Sequence, residues 1–212
     1  MTEERPSARI PWRFGAAIVA LAAVWLGMLL AGAGPVDHAV YEALYAGRRP
    51  ALVAVARFFT ALGEPTILIA AGVVVALWLW FEGRGRLGLA LLLIAMTGRA
   101  LSEAQKYWIA RVRPDFEPHL VVVKTQSFPS GHATSSMIFY LTLALALTAG
   151  TSWSRPAAAC AIALSLLVGV SRVMLGVHWP SDVIGGWAFG MLWVLLTLRP
   201  AEHLLRANSG GR

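Results

Sequence analysis

The sequence has few charged residues and almost no cysteine. Only 14% of its 212 residues are Asp, Glu, Lys or Arg, against about 25% in soluble globular proteins. The single cysteine, Cys160, excludes an intramolecular disulfide framework and a cysteine metal site. Hydrophobic residues make up 58% of the chain. The composition therefore excludes an ordinary soluble domain and predicts an all-α polytopic membrane protein.

The net charge of +7 is not gathered in one patch or stripe. The arginines stand between apolar blocks, which argues against a nucleic-acid partner and favours a membrane surface and an anionic ligand. The sequence also has no HExxH motif. Asp115 and Glu117 lie close together, but no histidine or third acid completes a metal-ligand spacing. We therefore expect no metal and no other cofactor.

The hydrophobic pattern predicts a bundle of six membrane-spanning helices in residues 14–198. About 20 helical residues, at roughly 1.5 Å each, cross a hydrocarbon core of about 30 Å. A cytoplasmic N-terminal tail, 1–13, and a polar C-terminal tail, 199–212, flank this domain. Residues 34–64 mix charged and apolar side chains at near-helical spacing, which predicts one or two interfacial helices. The predicted spans are 14–33, 65–81, a third that begins at 87, 132–149, 157–175 and 182–198.

The third span carries three charged residues on one helix face. Arg99, Glu103 and Lys106 recur at spacings of four and three, so they are neighbours on the helix surface. We expect this face to point inward, with Glu103 paired to Arg99 or Lys106, because charge facing lipid is costly.

The distribution of positive charge predicts the orientation. With the N-terminus inside, the inner side holds more Lys and Arg once the site cations are set aside. The protein is then expected in the cell (inner) membrane, with the three motifs described next at its outer, periplasmic face.

The first motif is KYWIARVRP, from Lys106 to Pro114. On a continuous helix, Lys106 and Arg113 would be about 10.5 Å apart, but a residue before proline leaves the helical region. Arg113 can thus turn back so that both cations hold one anion. Positive side chains snorkelling at a helix end explain the pattern equally well.

The second motif is FPSGH, from Phe128 to His132. Ser130 is a natural N-cap for the fourth span, and free backbone N–H groups at a helix N-terminus bind anions. His132 would lie within reach of such an anion.

The third motif is SRVMLGVHWPSD, from Ser171 to Asp182. Arg172 can hold a phosphate through two hydrogen bonds, and His178 can attack or shuttle protons near neutral pH. Asp182, four residues later, can fix the imidazole in one tautomer. With Lys106 and Arg113, Arg172 can neutralise a transferring phosphoryl group without a metal.

Together the motifs K-x6-R-P, P-S-G-H and S-R-x5-H-x3-D resemble the signature of the type 2 phosphatidic acid phosphatase (PAP2) superfamily. That group includes bacterial lipid phosphatases, glucose-6-phosphatases and vanadium haloperoxidases. The resemblance implies that His178 forms a phosphohistidine, that Asp182 orients it, and that His132 protonates the leaving oxygen and later activates water. It also implies a phosphate site made by Lys106, Arg113, Ser130, the backbone N–H of Gly131, and Arg172.

The sequence therefore predicts a metal-independent membrane phosphatase whose substrate is a lipid phosphate. Phosphatidylglycerophosphate, phosphatidic acid and undecaprenyl diphosphate all remain open, as does the oligomeric state. An anion or lipid transporter with the same basic cluster is the alternative, since inward charges also mark ion pathways. A transporter predicts internal repeats and helices broken at mid-membrane, whereas these motifs crowd one surface. A haloperoxidase would need vanadate, and those relatives are soluble.

Overall fold

The computed structural model describes the backbone of residues 12–207 and the side chains of residues 12–198. Over that range the chain forms helices joined by turns and irregular connections, which confirms the all-α prediction. The helices are α1 Trp12–Ala31, α2 Pro35–Leu44, α3 Pro50–Leu62, α4 Pro65–Phe81, α5 Gly85–Ile109, α6 Gly131–Leu147, α7 Ser154–Met174 and α8 Pro180–Ala207.

The predicted count of six spans is not confirmed. Within the described residues, α1, α5, α7 and α8 are long and apolar enough to cross a membrane individually. Helices α3 and α4 pass the same test only as a pair with a 43° bend, which raises the count to five. Helix α6 has 17 residues, or about 26 Å, somewhat short of a hydrocarbon core of about 30 Å. Helix α4 has the bounds predicted for the second span, and α6 ends two residues before the predicted end of the fourth, so each has 17 residues and is too short to count as a span by itself.

The predicted tails fall largely at or beyond the limits of this description. Residues 1–11 and 208–212 lie outside the described residues, and α1 begins at Trp12. The backbone of α8 continues as helix to Ala207, past the predicted domain limit at residue 198.

Helix α6 is the centre of the bundle, with ten of its 17 residues buried, so most of its surface faces other helices. It packs against α5, α7 and α8. Two glycines let α8 pack closely against α6. A Cβ on Gly186 would lie 2.9 Å from the Ser130 carbonyl oxygen, and one on Gly190 would lie 2.9 Å from Met137 Cβ. Larger residues would push α8 away from the start of α6.

The connection between α5 and α6 contains no helix or strand, as its prolines predict. Ala110 ends α5 in the left-handed region, with φ at 51°. The chain therefore leaves the helix axis between Lys106 and Arg113. Arg113 does not continue along α5, away from Lys106.

Candidate active site

The ends of α5 and α7 and the starts of α6 and α8 meet at one rim. The Ser130 N–H donates to the Asp182 carbonyl oxygen at 2.9 Å, which ties α6 to α8. A Cβ on Gly131 would lie 3.0 Å from Lys106 Nζ, so α5 ends against the N-terminus of α6. Arg172 lies in the last turn of α7. The structure thus brings together every predicted site residue: His178, His132, Asp182, Lys106, Arg113, Ser130, Gly131 and Arg172.

His178 lies in the short connection before α8, with only 2% of its surface exposed. Its Nδ1 is 3.3 Å from Asp182 Oδ2, and its Nε2 is 3.2 Å from Arg113 Nη1. A guanidinium only donates hydrogen bonds, so Nε2 accepts and the ring hydrogen is on Nδ1, facing the carboxylate. This tautomer leaves the Nε2 lone pair on the side of the cations.

The electrostatic surroundings keep His178 neutral. Burial, followed by the positive charges of Arg113, Arg172 and Lys106, lowers the pKa of His178 well below its ordinary value. A neutral imidazole has the free lone pair that a nucleophile needs at neutral pH.

Asp182 is held by more partners than its sequence motif contains. Oδ2 accepts hydrogen bonds from the Trp179 N–H at 2.9 Å and from Ser127 Oγ, and Oδ1 accepts one from Arg111 Nη1 at 2.9 Å. Arg111 also donates through Nη2 to the carbonyl oxygens of Met28 and Leu29 at 3.0 and 2.8 Å. The last turn of α1 is thereby connected to the carboxylate that faces His178.

Sequence reasoning missed Ser127 and Arg111. Both stand inside or next to a motif, Arg111 between Lys106 and Arg113 and Ser127 directly before Phe128. Their positions beside the motifs could have indicated a role at the site. A serine and an arginine at a membrane surface are, however, common without any such role.

Lys106 lies almost fully buried at the end of α5, where Nζ is 3.4 Å from Glu103 Oε1 and 3.3 Å from Thr125 Oγ1. Of the two partners expected for Glu103, the structure shows Lys106. Because Lys106 also adjoins Gly131, its charge is directed at the N-terminus of α6.

Arg172 and Ser130 each have a buried polar atom without a hydrogen-bond partner among the described residues: Arg172 Nε and Ser130 Oγ. Arg172 uses Nη1 to donate to Thr60 Oγ1 at 2.7 Å. Ser130 is at the N-cap position of α6, as predicted, but its hydroxyl makes no capping hydrogen bond. Buried donors of this kind normally have an acceptor, and phosphate oxygens would supply one.

Arg113 is fixed by three backbone carbonyls. It donates to the oxygens of Thr125 at 2.7 Å, Gln126 at 3.2 Å and Val177. These bonds connect the loop before α6 to the loop that carries His178. Arg113 thus has a structural function in addition to any contact with substrate.

The side chain of His132, at the start of α6, is 15% exposed, and its Nε2 lies 3.2 Å from Glu64 Oε2. Glu64 directly precedes Pro65, the first residue of α4. Sequence analysis placed Glu64 at the end of the interfacial segment and gave it no function. Gly131, the residue before His132, lies against Lys106 Nζ, so His132 begins α6 at the same rim as the predicted phosphate site.

The chain is similar to known proteins in both sequence and fold. A model of the PAP2 superfamily matches residues 86–203. Phosphatidylglycerophosphatase B of Bacillus subtilis strain 168 is 36% identical over 174 residues, which cover 80% of this chain and 85% of that protein. An undecaprenyl-diphosphatase of Sulfolobus acidocaldarius is 34% identical over 126 residues, 57% of this chain and 58% of that one.

A solved structure is also similar over most of its length. The crystal structure of a transmembrane PAP2-type phosphatidylglycerolphosphate phosphatase from Bacillus subtilis matches with a TM-score of 0.81 at 33% identity, covering 88% of this chain and 96% of that one. The chain therefore belongs to the PAP2 superfamily, and the family predicted from its motifs is confirmed.

Proposed function

We propose that this chain hydrolyses the phosphate ester of a membrane lipid through a phosphohistidine at His178. The chain belongs to the PAP2 superfamily and is therefore a multi-pass membrane lipid phosphatase. The observation that carries the mechanism is the position of His178, whose Nδ1 faces Asp182 while Nε2 faces the guanidinium of Arg113.

In the first step, Nε2 of His178 attacks phosphorus, and the bond from phosphorus to the lipid oxygen breaks as the P–N bond forms. Asp182 stabilises the positive charge that develops on the ring. Lys106, Arg113 and Arg172, together with Ser130 Oγ and the N–H of Gly131, stabilise the negative charge on the equatorial oxygens. His132 gives a proton to the leaving lipid oxygen.

In the second step, His132 removes a proton from a water molecule as that water attacks phosphorus. The P–N bond breaks, the electron pair returns to His178, and inorganic phosphate leaves. Glu64, at 3.2 Å, keeps the His132 ring in one orientation during both steps.

An apolar cleft between α4, α5 and α6 supports a lipid substrate. It is lined by side chains such as Leu68, Leu92, Met96 and Phe139, which suit the apolar tail of a lipid. Relatives of this chain are named for phosphatidylglycerophosphate and undecaprenyl diphosphate. We propose a substrate from this group, with phosphatidic acid as the third candidate.

The proposed topology retains six spans, with α4 and α6 crossing a locally thinner bilayer or tilting little, since short helices are accommodated at modest cost. The site then faces the outer, periplasmic side of the cell inner membrane.

Phosphate release in detergent micelles, measured with a panel of these three lipids and with EDTA present, tests the proposal. We expect EDTA to leave turnover unchanged, because three cations neutralise the phosphoryl group in place of a metal. Loss of activity with EDTA that returns with added Mg²⁺ would contradict the metal-independent mechanism. Binding of the lipids without any phosphate release would favour a transporter.

Replacement of His132 separates the two steps. We expect His132→Gln to lower turnover of a lipid phosphate by about 10²- to 10⁴-fold, the usual range for a lost general acid or base. With p-nitrophenyl phosphate, whose leaving phenolate needs little protonation, the same variant should release one p-nitrophenol per site rapidly and then turn over slowly. Stopped-flow absorbance measures the burst, and His178→Gln is the control that should show none. Equal losses in burst and steady state would contradict this function of His132.

A further inference from the structure

Arg99 is a cation without a partner in an apolar part of the bundle. Its side chain is half-buried on α5, and it forms no hydrogen bond or ion pair with any residue from 12 to 198. Glu103, the acid one turn away, is bonded to Lys106 instead. Because an unpaired charge among membrane helices is costly, an arginine at this position points to an anionic ligand.

The position of Arg99 connects it to both the cleft and the phosphate site. Arg99 lines the apolar cleft, together with Pro65 and Ser135. Arg99 precedes Lys106 by seven residues, so its backbone is about 10.5 Å deeper along α5, and a long side chain can shorten that separation considerably.

The proposed reaction sets the direction in which the rest of the substrate lies. The nucleophile and the leaving group are in line on opposite sides of phosphorus. The leaving oxygen therefore lies on the side of His132, away from His178. Ser135, one turn after His132 on α6, already lines the cleft. The lipid part of the substrate thus passes from His132 into the cleft, and Arg99 lies beside that path.

We propose that Arg99 binds a second phosphate group, the one between the reactive phosphate and the lipid tail. This inference rests on the proposed function and narrows its substrate class to lipids with two phosphate groups. A guanidinium grips a phosphate through two parallel hydrogen bonds, and the apolar lining strengthens the attraction. Two lipid types share this chemistry: a diphosphate on an isoprenoid chain, and a phosphodiester followed by a terminal monoester.

The test compares three lipids in the full-length protein: an isoprenoid diphosphate, phosphatidylglycerophosphate and phosphatidic acid. We expect Arg99→Gln to raise KM and lower kcat/KM by about 10- to 100-fold for two-phosphate lipids, since hydrogen bonds to charged groups contribute about 1.5–3 kcal/mol. Turnover of phosphatidic acid should change less than threefold. Arg99→Lys, which keeps the charge, should recover part of the loss. Arg86→Gln is the matched control, because it removes the same charge from the exposed opposite end of α5. It should leave kcat/KM unchanged for all three lipids.

The two lipid types give separate outcomes. A loss confined to the diphosphate, or confined to phosphatidylglycerophosphate, identifies the second phosphate that Arg99 binds. Equal losses for all three lipids, or no loss for any, would overturn the proposal.

A binding measurement separates this inference from the proposed function. Lipid analogues with non-hydrolysable bisphosphonate or monophosphonate heads can be titrated calorimetrically whether or not the protein turns over. The parent should prefer the bisphosphonate, and Arg99→Gln should lose that preference. If the parent releases no phosphate from any lipid, the proposed function fails while the titration still tests Arg99.

Discussion

Purified His178→Gln protein is expected to release no phosphate from any lipid on the panel. Loss of a catalytic nucleophile can cost about 10⁶-fold in kcat, and glutamine has no lone pair that can form the phosphoryl–nitrogen bond. His178 is almost fully buried and contacts both Arg113 and Asp182. The other histidine of this rim, His132, is bonded to Glu64 through Nε2 and is assigned to proton transfer, so no second imidazole is positioned to replace His178.

The measurement pairs steady-state phosphate release with detection of the intermediate. Rapid quenching of the parent in alkali should preserve an acid-labile phosphohistidine, which mass spectrometry can assign to position 178. His119→Gln is the matched control, because His119 lies on an exposed loop and bonds only to the Pro114 carbonyl oxygen among the described residues. The control should turn over like the parent. Full activity in His178→Gln, or a phosphoryl group on His132, would contradict the assignment.

The sequence predicted those parts of the site that depend on local chain geometry. A histidine and an aspartate four residues apart flank the start of α8, and a serine followed by glycine begins α6. Spacing alone places such groups together, whichever helices surround them. The three separate motifs could be expected at one rim because they follow or begin neighbouring spans.

The sequence could not predict contacts between distant segments. Glu64 meets His132 from 68 residues away, and Arg111 meets Asp182 from 71 residues away. Neither pairing follows from helix periodicity, because each depends on how two helix ends approach in the packed bundle. The partner of Glu103 could not be chosen for a related reason: Arg99 and Lys106 are both neighbours on α5, and only the fold sends Lys106 toward Gly131.

Helix length was the other point that composition could not settle. An apolar run indicates a buried or lipid-facing helix, but the ends of the helix depend on its turns. Residues 34–64 contain two helices, α2 and α3, and a 43° bend before Pro65 separates α3 from α4. The sequence did not predict that α3 and α4 could together form one bent span. The same bend carries Glu64 to His132. The feature that complicates the span count therefore also supplies a contact of the site.

The environment of Asp182 shows how this carboxylate controls His178. Oδ2 faces three donors, on Ser127, Trp179 and His178, while Oδ1 faces Arg111. Ser127 Oγ is also 3.4 Å from His178 Nδ1, so the ring hydrogen has two acceptors on the same side. The two oxygens of an ionised Asp182 can accept from all four of its donors. These contacts hold the ring hydrogen of His178 on Nδ1.

Replacement by asparagine tests that control directly, and we expect Asp182→Asn to fold while kcat falls by about 10⁴-fold. An amide has one accepting oxygen, so its NH₂ group must face either Arg111 or the side of His178. In the second orientation Nδ1 becomes the acceptor and Nε2 carries the hydrogen, which removes the nucleophilic lone pair. In the first orientation, the NH₂ group faces the Arg111 guanidinium, which is also a donor. In either orientation the side chain lacks the negative charge that stabilises the imidazolium.

Asp37→Asn is the matched control for a buried carboxylate near the same rim. Asp37 accepts hydrogen bonds from the Ser181 N–H at 2.8 Å and from Ser181 Oγ, but it does not touch His178. Thermal melting in detergent should show comparable losses of stability for the two variants, whereas phosphate release should fall less than about tenfold in the control, because Asp182, unlike Asp37, contacts the imidazole proposed as the nucleophile. Rapid-quench measurement should show slow formation of phosphohistidine in Asp182→Asn alone. If both variants lost activity only in proportion to their stability, Asp182 would be a packing residue and the imidazole would need another orienting group.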